Sequence, residues 1–373
     1  MDQRRAARSA VKMTRHRAPR AAARTVVDAL PKAEIHLHLE GSIRPETAVE
    51  LAARHGLRIT AEEVAARYNY SDFTGFLQAF KWVTSFLRDP EDYGHILGRL
   101  GEELIRQNVV YAEITLSVGV MLLRKQNVEA NFEAISKAAQ GPSLKPLRMG
   151  WIFDAARQFG PRAALEVSRC ATRLGKMGVV AFGMGGDELA APTSAFRPAF
   201  DHARGAGLGI VCHAGETGGP EAVREAVELL GAERIGHGIA VMRDGELARS
   251  LAARGIVLEN CLASNLLTGA LAKQTGKADA GWADHPLPKF LECGLRVTLS
   301  TDDPAMFHTD LLTEYSRAAS LGLGDPELAS LAEQSFHAAF LPPADSRRMV
   351  EDFRAAAKSA RLAIIPASTS GGR

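Results

Sequence analysis

Hydrophobic and polar positions along the chain form a repeated order of short β-branched runs and longer helical stretches. The helical stretches include residues 220–231, which begin with Pro and end with Gly, as helices often do. Strands that alternate with helices predict a parallel sheet, and eight such units predict a (β/α)8 TIM barrel. The eight predicted strands lie at 33–41, 109–119, 147–155, 179–188, 209–217, 233–241, 256–265 and 296–304.

Nearly every predicted strand begins with apolar residues and ends with polar or small ones. In a TIM barrel the carboxyl ends of all strands build the site, whereas a doubly wound sheet gathers its ligand groups at one switch point. The pattern therefore favours the barrel. The polar strand-end residues are His36 and His38, Glu113, Asp154, Asp187 with Glu188, His213 with Glu216, His237, Asn260 with Asn265, and Asp302 with Asp303.

The first and second strands are far apart, and residues 45–108 predict two or three extra helices between them. One predicted helix, at 72–87, carries Phe73, Phe76, Leu77 and Phe80 at helical spacing. Two interpretations stay open for this apolar face. It is either an ordinary core-facing stripe or an apolar lid over the mouth of the barrel.

His36 and His38 are two residues apart on a strand, so both imidazoles point to the same side and can bind one metal ion. His213 and Asp302 end two further strands. Three histidines and one carboxylate are ordinary Zn²⁺ ligands, and Zn²⁺ lowers the pKa of a bound water to ~7. The fourth strand contains no lysine that could bridge two metals, so one metal ion is expected.

Three more polar residues lie beside these candidate ligands. Glu216 follows His213 by three residues and is placed to pass protons between a water and a substrate. His237 would lie across the mouth of the barrel, where it either orients the attacking water or is a satisfied core histidine. Asp303 adjoins Asp302 and could hydrogen-bond the substrate.

Composition agrees with a globular protein, with 46% hydrophobic and 24% charged residues, and no apolar run is long enough to cross a membrane. Four separated cysteines without a CxxC pair argue against a disulfide framework and favour a reducing cytoplasm. We expect one domain over 25–360 and a flexible tail over 361–373. The net charge of +2 is unevenly distributed along the chain. Residues 1–24 form a basic arm with eight basic residues and one acid, and the rest of the chain has 37 basic and 42 acidic residues.

The arm allows three interpretations: a nucleic-acid-binding tail, a transit peptide, or a disordered extension, which we favour. Nucleic acid is therefore an unlikely partner, and a small molecule is the expected one. A non-catalytic nucleic-acid-binding module is the rival class, but the complete set of candidate ligands and proton-transfer residues argues against it.

Four segments together resemble the adenosine deaminase family of the amidohydrolase superfamily: LPKAEIHLHLEGSIRPE, HAGE, RIGHGIAV and STDDPAMF. The resemblance runs in the family's order from about residue 30 to 339. It implies a zinc-dependent barrel that hydrolyses the 6-amino group of an adenine ring. By motif, the zinc ligands would be His36, His38, His213 and Asp302.

The resemblance also implies roles around the ring. Glu216 would protonate N1, His237 would position the attacking hydroxide, and Asp303 would hydrogen-bond N7. The backbone N–H of Gly186 would meet N3, and Phe73, Phe76, Leu77 and Phe80 match the family's lid helix. Glu40 stands where adenosine deaminases usually have Asp at the ribose 5′-hydroxyl, and it resembles adenine deaminases there. Adenosine, a 5′-modified adenosine such as aminodeoxyfutalosine, and free adenine therefore remain open as substrates.

Overall fold

The computed structural model describes residues 25–360; the predicted arm at 1–24 and tail at 361–373 lie outside the described residues. Each strand pairs in parallel with the next, in the order of the chain, so the predicted TIM barrel is confirmed. The strands are β1 (Lys32–His38), β2 (Val109–Leu116), β3 (Arg148–Ala156), β4 (Val179–Gly185), β5 (Gly209–Ala214), β6 (Arg234–His237), β7 (Val257–Asn260) and β8 (Arg296–Leu299).

The barrel closes between β1 and the chain that leaves β8. The backbone N–H of His38 donates to Asp302 O at 2.8 Å, and the N–H of Asp302 donates to His36 O at 3.1 Å. A parallel bridge between Leu37 and Asp302 lies at the same point. Closure of the barrel therefore brings three of the four predicted metal ligands to one place.

Sixteen α-helices surround and cover the barrel within the described range. Those of the first half are α1 (Pro45–Arg54), α2 (Ala61–Arg67), α3 (Phe73–Val83), α4 (Pro90–Arg106), α5 (Val118–Leu123), α6 (Val128–Ala139), α7 (Gly160–Arg173) and α8 (Arg197–Gly205). Those of the second half are α9 (Pro220–Leu229), α10 (Gly245–Arg254), α11 (Leu262–Leu267), α12 (Ala270–Thr275), α13 (Leu287–Glu292), α14 (Leu311–Ser320), α15 (Asp325–Ala338) and α16 (Pro343–Ser359). None of the sixteen is both long and apolar enough to span a bilayer.

Four helices lie between β1 and β2. The last of them, α4, packs on β2 and α6 as a barrel helix does, which leaves α1 to α3 as the predicted extra helices. Helix α3 begins after Asp72, whose carboxylate accepts the backbone N–H of Gly75 at 2.7 Å. It ends at Val83, and a 3₁₀ turn over Thr84–Phe86 completes the segment that the sequence predicts as one helix.

The amino-terminal end of the barrel interior contains a buried ion cluster. Arg234 lies 2.6 Å from a carboxylate oxygen of Glu113 and 2.6 Å from one of Glu259. The Tyr111 hydroxyl donates to Glu113 at 2.9 Å, and the ring of Phe340 lies 4.0 Å from the guanidinium carbon of Arg234. This end of the barrel is thereby filled and electrostatically paired.

Candidate active site

The four predicted metal ligands meet at the carboxyl ends of the strands. One potential ligand atom from each of His36, His38, His213 and Asp302 lies within 4.8 Å of the others. Asp302 Oδ1 is 3.4 Å from His36 Nε2 and 3.3 Å from His38 Nε2. The ring centres of His36 and His213 are 4.6 Å apart. The arrangement that the sequence predicts for these side chains is therefore the one the structure has.

The cluster also has the bonding of a metal site. His36 Nδ1 lies 2.7 Å from Glu259 Oε2, which can accept its proton, so Nε2 is the ring nitrogen available to a metal ion. That Nε2 atom is buried and has no hydrogen-bond partner among residues 25–360. A Cβ at Gly236 would stand 2.7 Å from His36 and 3.2 Å from His213, so only glycine fits between them. Imidazoles and a carboxylate so placed fit a divalent ion such as zinc.

A second group, His55, Asp89 and Asp92, also brings possible ligand atoms together. Asp92 already accepts the backbone N–H groups of Arg88 and Asp89 and the side chains of Arg54 and His55. These bonds satisfy its carboxylate at the start of α4, so this group is explained as a helix cap.

Glu216 is buried beside the cluster. Its Oε1 accepts a hydrogen bond from the Thr268 hydroxyl at 3.2 Å, and its Oε2 lies 3.7 Å from His237 Nε2. Burial, followed by the carboxylates of Asp302 and Glu188, raises the pKa of Glu216 well above its ordinary value. A carboxyl group in this setting holds a proton that it can donate.

His237 is held by two asparagines. The Asn265 amide lies 2.9 Å from Nδ1, and the Asn260 amide donates to the backbone oxygen of His237 at 2.7 Å. Burial lowers the pKa of His237 to about 4, so the ring is neutral. With Nδ1 accepting from Asn265, the ring proton lies on Nε2, 3.8 Å from Asp302 Oδ2.

Glu188 fixes the loop that carries Glu216. Its carboxylate accepts the backbone N–H groups of Gly215, Glu216 and Thr217 at 2.7–2.9 Å. The Gln274 amide donates to the Glu216 carbonyl at 2.8 Å. The position of the proton-transfer candidate thus depends on Glu188, which the sequence marks only as a strand-end residue, and on Gln274, to which it assigns no role.

A cavity of about 370 Å³ opens above the cluster. Phe76 is buried against Phe307, with ring centres 5.0 Å apart, so α3 contributes both to the core and to the cavity wall. The sequence-predicted residues in the wall are Phe73, Phe76, Leu77, Phe80, Gly186, Glu216, His237, Asp303 and the ligands His38, His213 and Asp302. The wall also includes Ser117, Val120, Leu123, Asp154, Gln158 and Phe159, which the sequence does not assign to substrate binding.

Glu40 lies behind this wall rather than in it. Strand β1 ends at His38, and Glu40 opens a 3₁₀ turn over Glu40–Ser42. Its Oε1 accepts the backbone N–H of the wall residue Ser117 at 3.0 Å, while Oε2 is buried without a partner among the described residues. Gly41 lies directly against the Asp303 carboxylate, where a Cβ would overlap it.

Sequence reasoning missed Glu259 and Thr268, which bind His36 and Glu216 respectively. Thr268 lies on the chain that follows α11, and no local pattern marks it. Glu259 stands in an apolar run, IVLEN, and a charged residue there is itself a signal of a buried partner. The sequence does not show that this partner is His36, because His36 lies on β1, which is not adjacent to β7 in the sheet.

The known proteins to which this chain is similar are deaminases. The adenosine deaminase family model matches residues 31–356. An aminodeoxyfutalosine deaminase from Streptomyces avermitilis is 40% identical over 332 residues, covering 87% of this chain and 90% of that protein. An adenine deaminase from Rhizobium leguminosarum is 33% identical, covering 84% of this chain and 95% of that protein.

Among solved structures, the adenine deaminase from Arthrobacter aurescens superimposes with a TM-score of 0.81 at 29% identity, covering 88% of this chain and all of that one. The family model spans most of the described barrel, and the ligand cluster lies inside the matched segment. The chain therefore belongs to the adenosine deaminase family of the amidohydrolase superfamily and is a metal-dependent hydrolytic deaminase.

Proposed function

We propose that the protein hydrolyses the 6-amino group of an adenine ring in an adenosine-type nucleoside, either adenosine or a 5′-modified adenosine. Water adds at C6, the bond from C6 to the amino nitrogen breaks, and a 6-oxo purine and ammonia leave. The observation that carries the proposal is the cavity, which runs from the ligand cluster along α3 to Leu123 and Phe159.

One zinc ion per chain, held by His36, His38, His213 and Asp302, would supply a water of lowered pKa at C6. The remaining work falls to the protein's own side chains. Glu216, which burial keeps protonated, donates to N1 as the ring accepts water. His237, neutral and held by Asn265, orients the attacking water through its Nε2 proton.

The ring is held at two further points in this proposal. Asp303 hydrogen-bonds N7, and the backbone N–H of Gly186 meets N3. Both residues lie in the cavity wall, Gly186 directly after β4 and Asp303 on the chain that leaves β8. These contacts place C6 at the metal and direct the glycosidic side of the ring away from it.

The cavity supports a nucleoside over free adenine. Phe73, Leu77 and Phe80 of α3 and Val120 and Leu123 of α5 line the same cavity as the ligand cluster, so the cavity offers apolar surface beyond what a lone ring needs. Ligand pockets bury most of the surface of what they bind. The 40% identical relative acts, by its name, on aminodeoxyfutalosine, which is a 5′-modified adenosine, and this favours the extended form.

Free adenine is the second candidate. Relatives at 33% identity are named adenine deaminase, and Glu40 stands where the resemblance places the adenine-type residue. Its carboxylate has one oxygen bound to Ser117 and one unbound. A kinetic panel of adenine, adenosine and 5′-substituted adenosines separates the candidates. We expect kcat/KM to rise from adenine to the nucleosides, and the highest value for adenine would overturn the nucleoside proposal.

A further inference from the structure

Within the described part of the chain, His213, one ligand of the predicted metal site, lacks the kind of partner that His36 has. Metal-bound histidines almost always donate their second ring N–H to a carboxylate, a carbonyl or a water. His36 has Glu259 for this purpose. His213 Nδ1 is buried and has no hydrogen-bond partner among residues 25–360.

A carboxylate without a role lies close to this nitrogen. Asp154, at the carboxyl end of β3, lines the cavity and is 8% exposed. Its Oδ1 is buried with no hydrogen-bond partner among the described residues. Asp154 has no part in the proposed proton transfers, and an unpaired buried carboxyl oxygen is costly unless another group binds it.

Gly185 lies between His213 Nδ1 and the second oxygen of the Asp154 carboxyl group, Oδ2. A Cβ placed on Gly185 would stand 3.3 Å from His213 Nδ1 and 3.3 Å from Asp154 Oδ2. The two atoms therefore face the same small space, which a side chain at 185 would fill. They are too far apart for a direct bond, and a water needs at least two polar partners of this kind.

We propose that Asp154 is a positioning residue for the metal site, orienting His213 through one water that bridges its carboxyl group and His213 Nδ1. The inference rests on the proposed function, since it takes His213 to be a metal ligand. Each of these two histidines would then have a carboxyl group at its second ring nitrogen. Glu259 contacts His36 directly, and Asp154 would contact His213 through the water.

The neighbouring strand is adapted to this arrangement. Asp154 and Gly183 are register partners on β3 and β4, so their side-chain positions share one face. A Cβ at 183 would stand 2.8 Å from Asp154 Oδ1. Glycine at 183 therefore leaves the room in which the Asp154 carboxyl group lies, and an alanine there would displace it without removing it.

The test measures metal binding of the full chain after chelation, with zinc affinity from chelator competition and the cobalt absorption spectrum as readouts. The variants are Asp154→Ala, Asp154→Asn and Gly183→Ala, with Asp201→Ala, an exposed carboxylate on α8, as the control. Loss of a residue that supports a ligand typically weakens metal affinity ~10–100-fold. We expect that loss and an altered cobalt spectrum for Asp154→Ala, and an intermediate loss for Gly183→Ala.

Asp154→Asn should recover most of the affinity, because an amide oxygen still accepts from the water. In steady-state assays, kcat of Asp154→Ala should fall while KM changes little. Wild-type zinc affinity and cobalt spectrum in Asp154→Ala would overturn the inference, as would an increase in KM alone, which would assign Asp154 to the substrate. Failure of the wild-type chain to bind zinc would instead overturn the proposed function.

Discussion

The two ends of the barrel interior differ in whether their buried polar groups have partners within the protein. At the amino-terminal end, Arg234 lies between Glu113 and Glu259, and opposite charges stand 2.6 Å apart. Glu113 Oε2, Arg234 Nε and Glu259 Oε1 form no hydrogen bond with the described residues, but each faces an opposite charge. At the carboxyl end, His213 Nδ1 and Asp154 Oδ1 are buried with neither a hydrogen bond nor an ion pair within the described chain. Because an unsatisfied buried polar group is costly, the second pattern marks where the protein binds something else.

The contrast separates groups that stabilise the fold from groups that serve the reaction, and Glu259, which contacts both Arg234 and His36, belongs to both. Side chains at the paired end should contribute to the free energy of unfolding, with or without metal. Side chains at the unpaired end should contribute to metal binding and turnover, and little to the fold. Each prediction below tests one side of that division.

The largest effect is expected for His213→Ala. Removal of one of four ligands should abolish both zinc retention and turnover, while the chain stays folded because no opposite charge loses its partner. Elemental analysis, a deamination assay and circular dichroism check the three parts. Retention of one zinc per chain by this variant would remove His213 from the ligand set.

Glu216→Gln should lower kcat by ~10²–10⁴-fold, the usual contribution of general acid–base catalysis. The amide keeps the size of the side chain and its bond to Thr268 but delivers no proton to N1. Zinc content should stay at the wild-type value. Thr268→Val is the companion variant and should have a smaller effect on kcat, and a near-normal kcat in Glu216→Gln would assign proton transfer elsewhere.

Arg234→Met tests the paired end. It leaves Glu113 and Glu259 buried without their cation, and loss of one partner of a buried pair costs about 3–5 kcal/mol. Chemical denaturation of the metal-free chain should show this loss. Arg169→Met removes an exposed ion pair with Glu166 on α7 and should cost at most ~1 kcal/mol. Equal losses in the two variants would mean that the buried cluster does not stabilise the fold.

Glu40→Asp is expected to have the smallest effect. Shortening the side chain withdraws the carboxylate from the Ser117 N–H, which lies in the cavity wall. The kcat/KM ratio should shift toward unmodified adenosine, with zinc content unchanged. The same change in kcat/KM for adenine and for every nucleoside would show that residue 40 does not distinguish substrate tails.

Much of this division was predictable from the sequence. The alternation of strands and helices predicts the barrel, and the period of two in His36 and His38 predicts that both rings face inward. His213, Glu216, His237 and Asp302 lie at the ends of other predicted strands, so the barrel alone predicts that they join the same site. These features are local, so they need no knowledge of which strands are neighbours.

What the sequence could not predict depends on pairing between distant strands. The bond from Glu259 to His36 joins residues 223 positions apart, on β7 and β1, which are not neighbours in the sheet and meet only inside the closed barrel. The room for Asp154 depends on the absence of a side chain at Gly183 on the adjacent strand. Glu40 was placed by the sequence near the substrate, whereas the turn that follows β1 puts it behind Ser117.

Zinc titration of the chelated protein tests directly whether one zinc ion per chain produces the deaminase activity. The metal-free full chain receives zinc in sub-stoichiometric steps, and deamination of an adenosine-type substrate is followed by release of ammonia and by the spectral change at the purine ring. We predict that activity rises linearly and stops at one zinc per chain. Full activity before any zinc is added, or a plateau at two zinc ions per chain, would contradict the account.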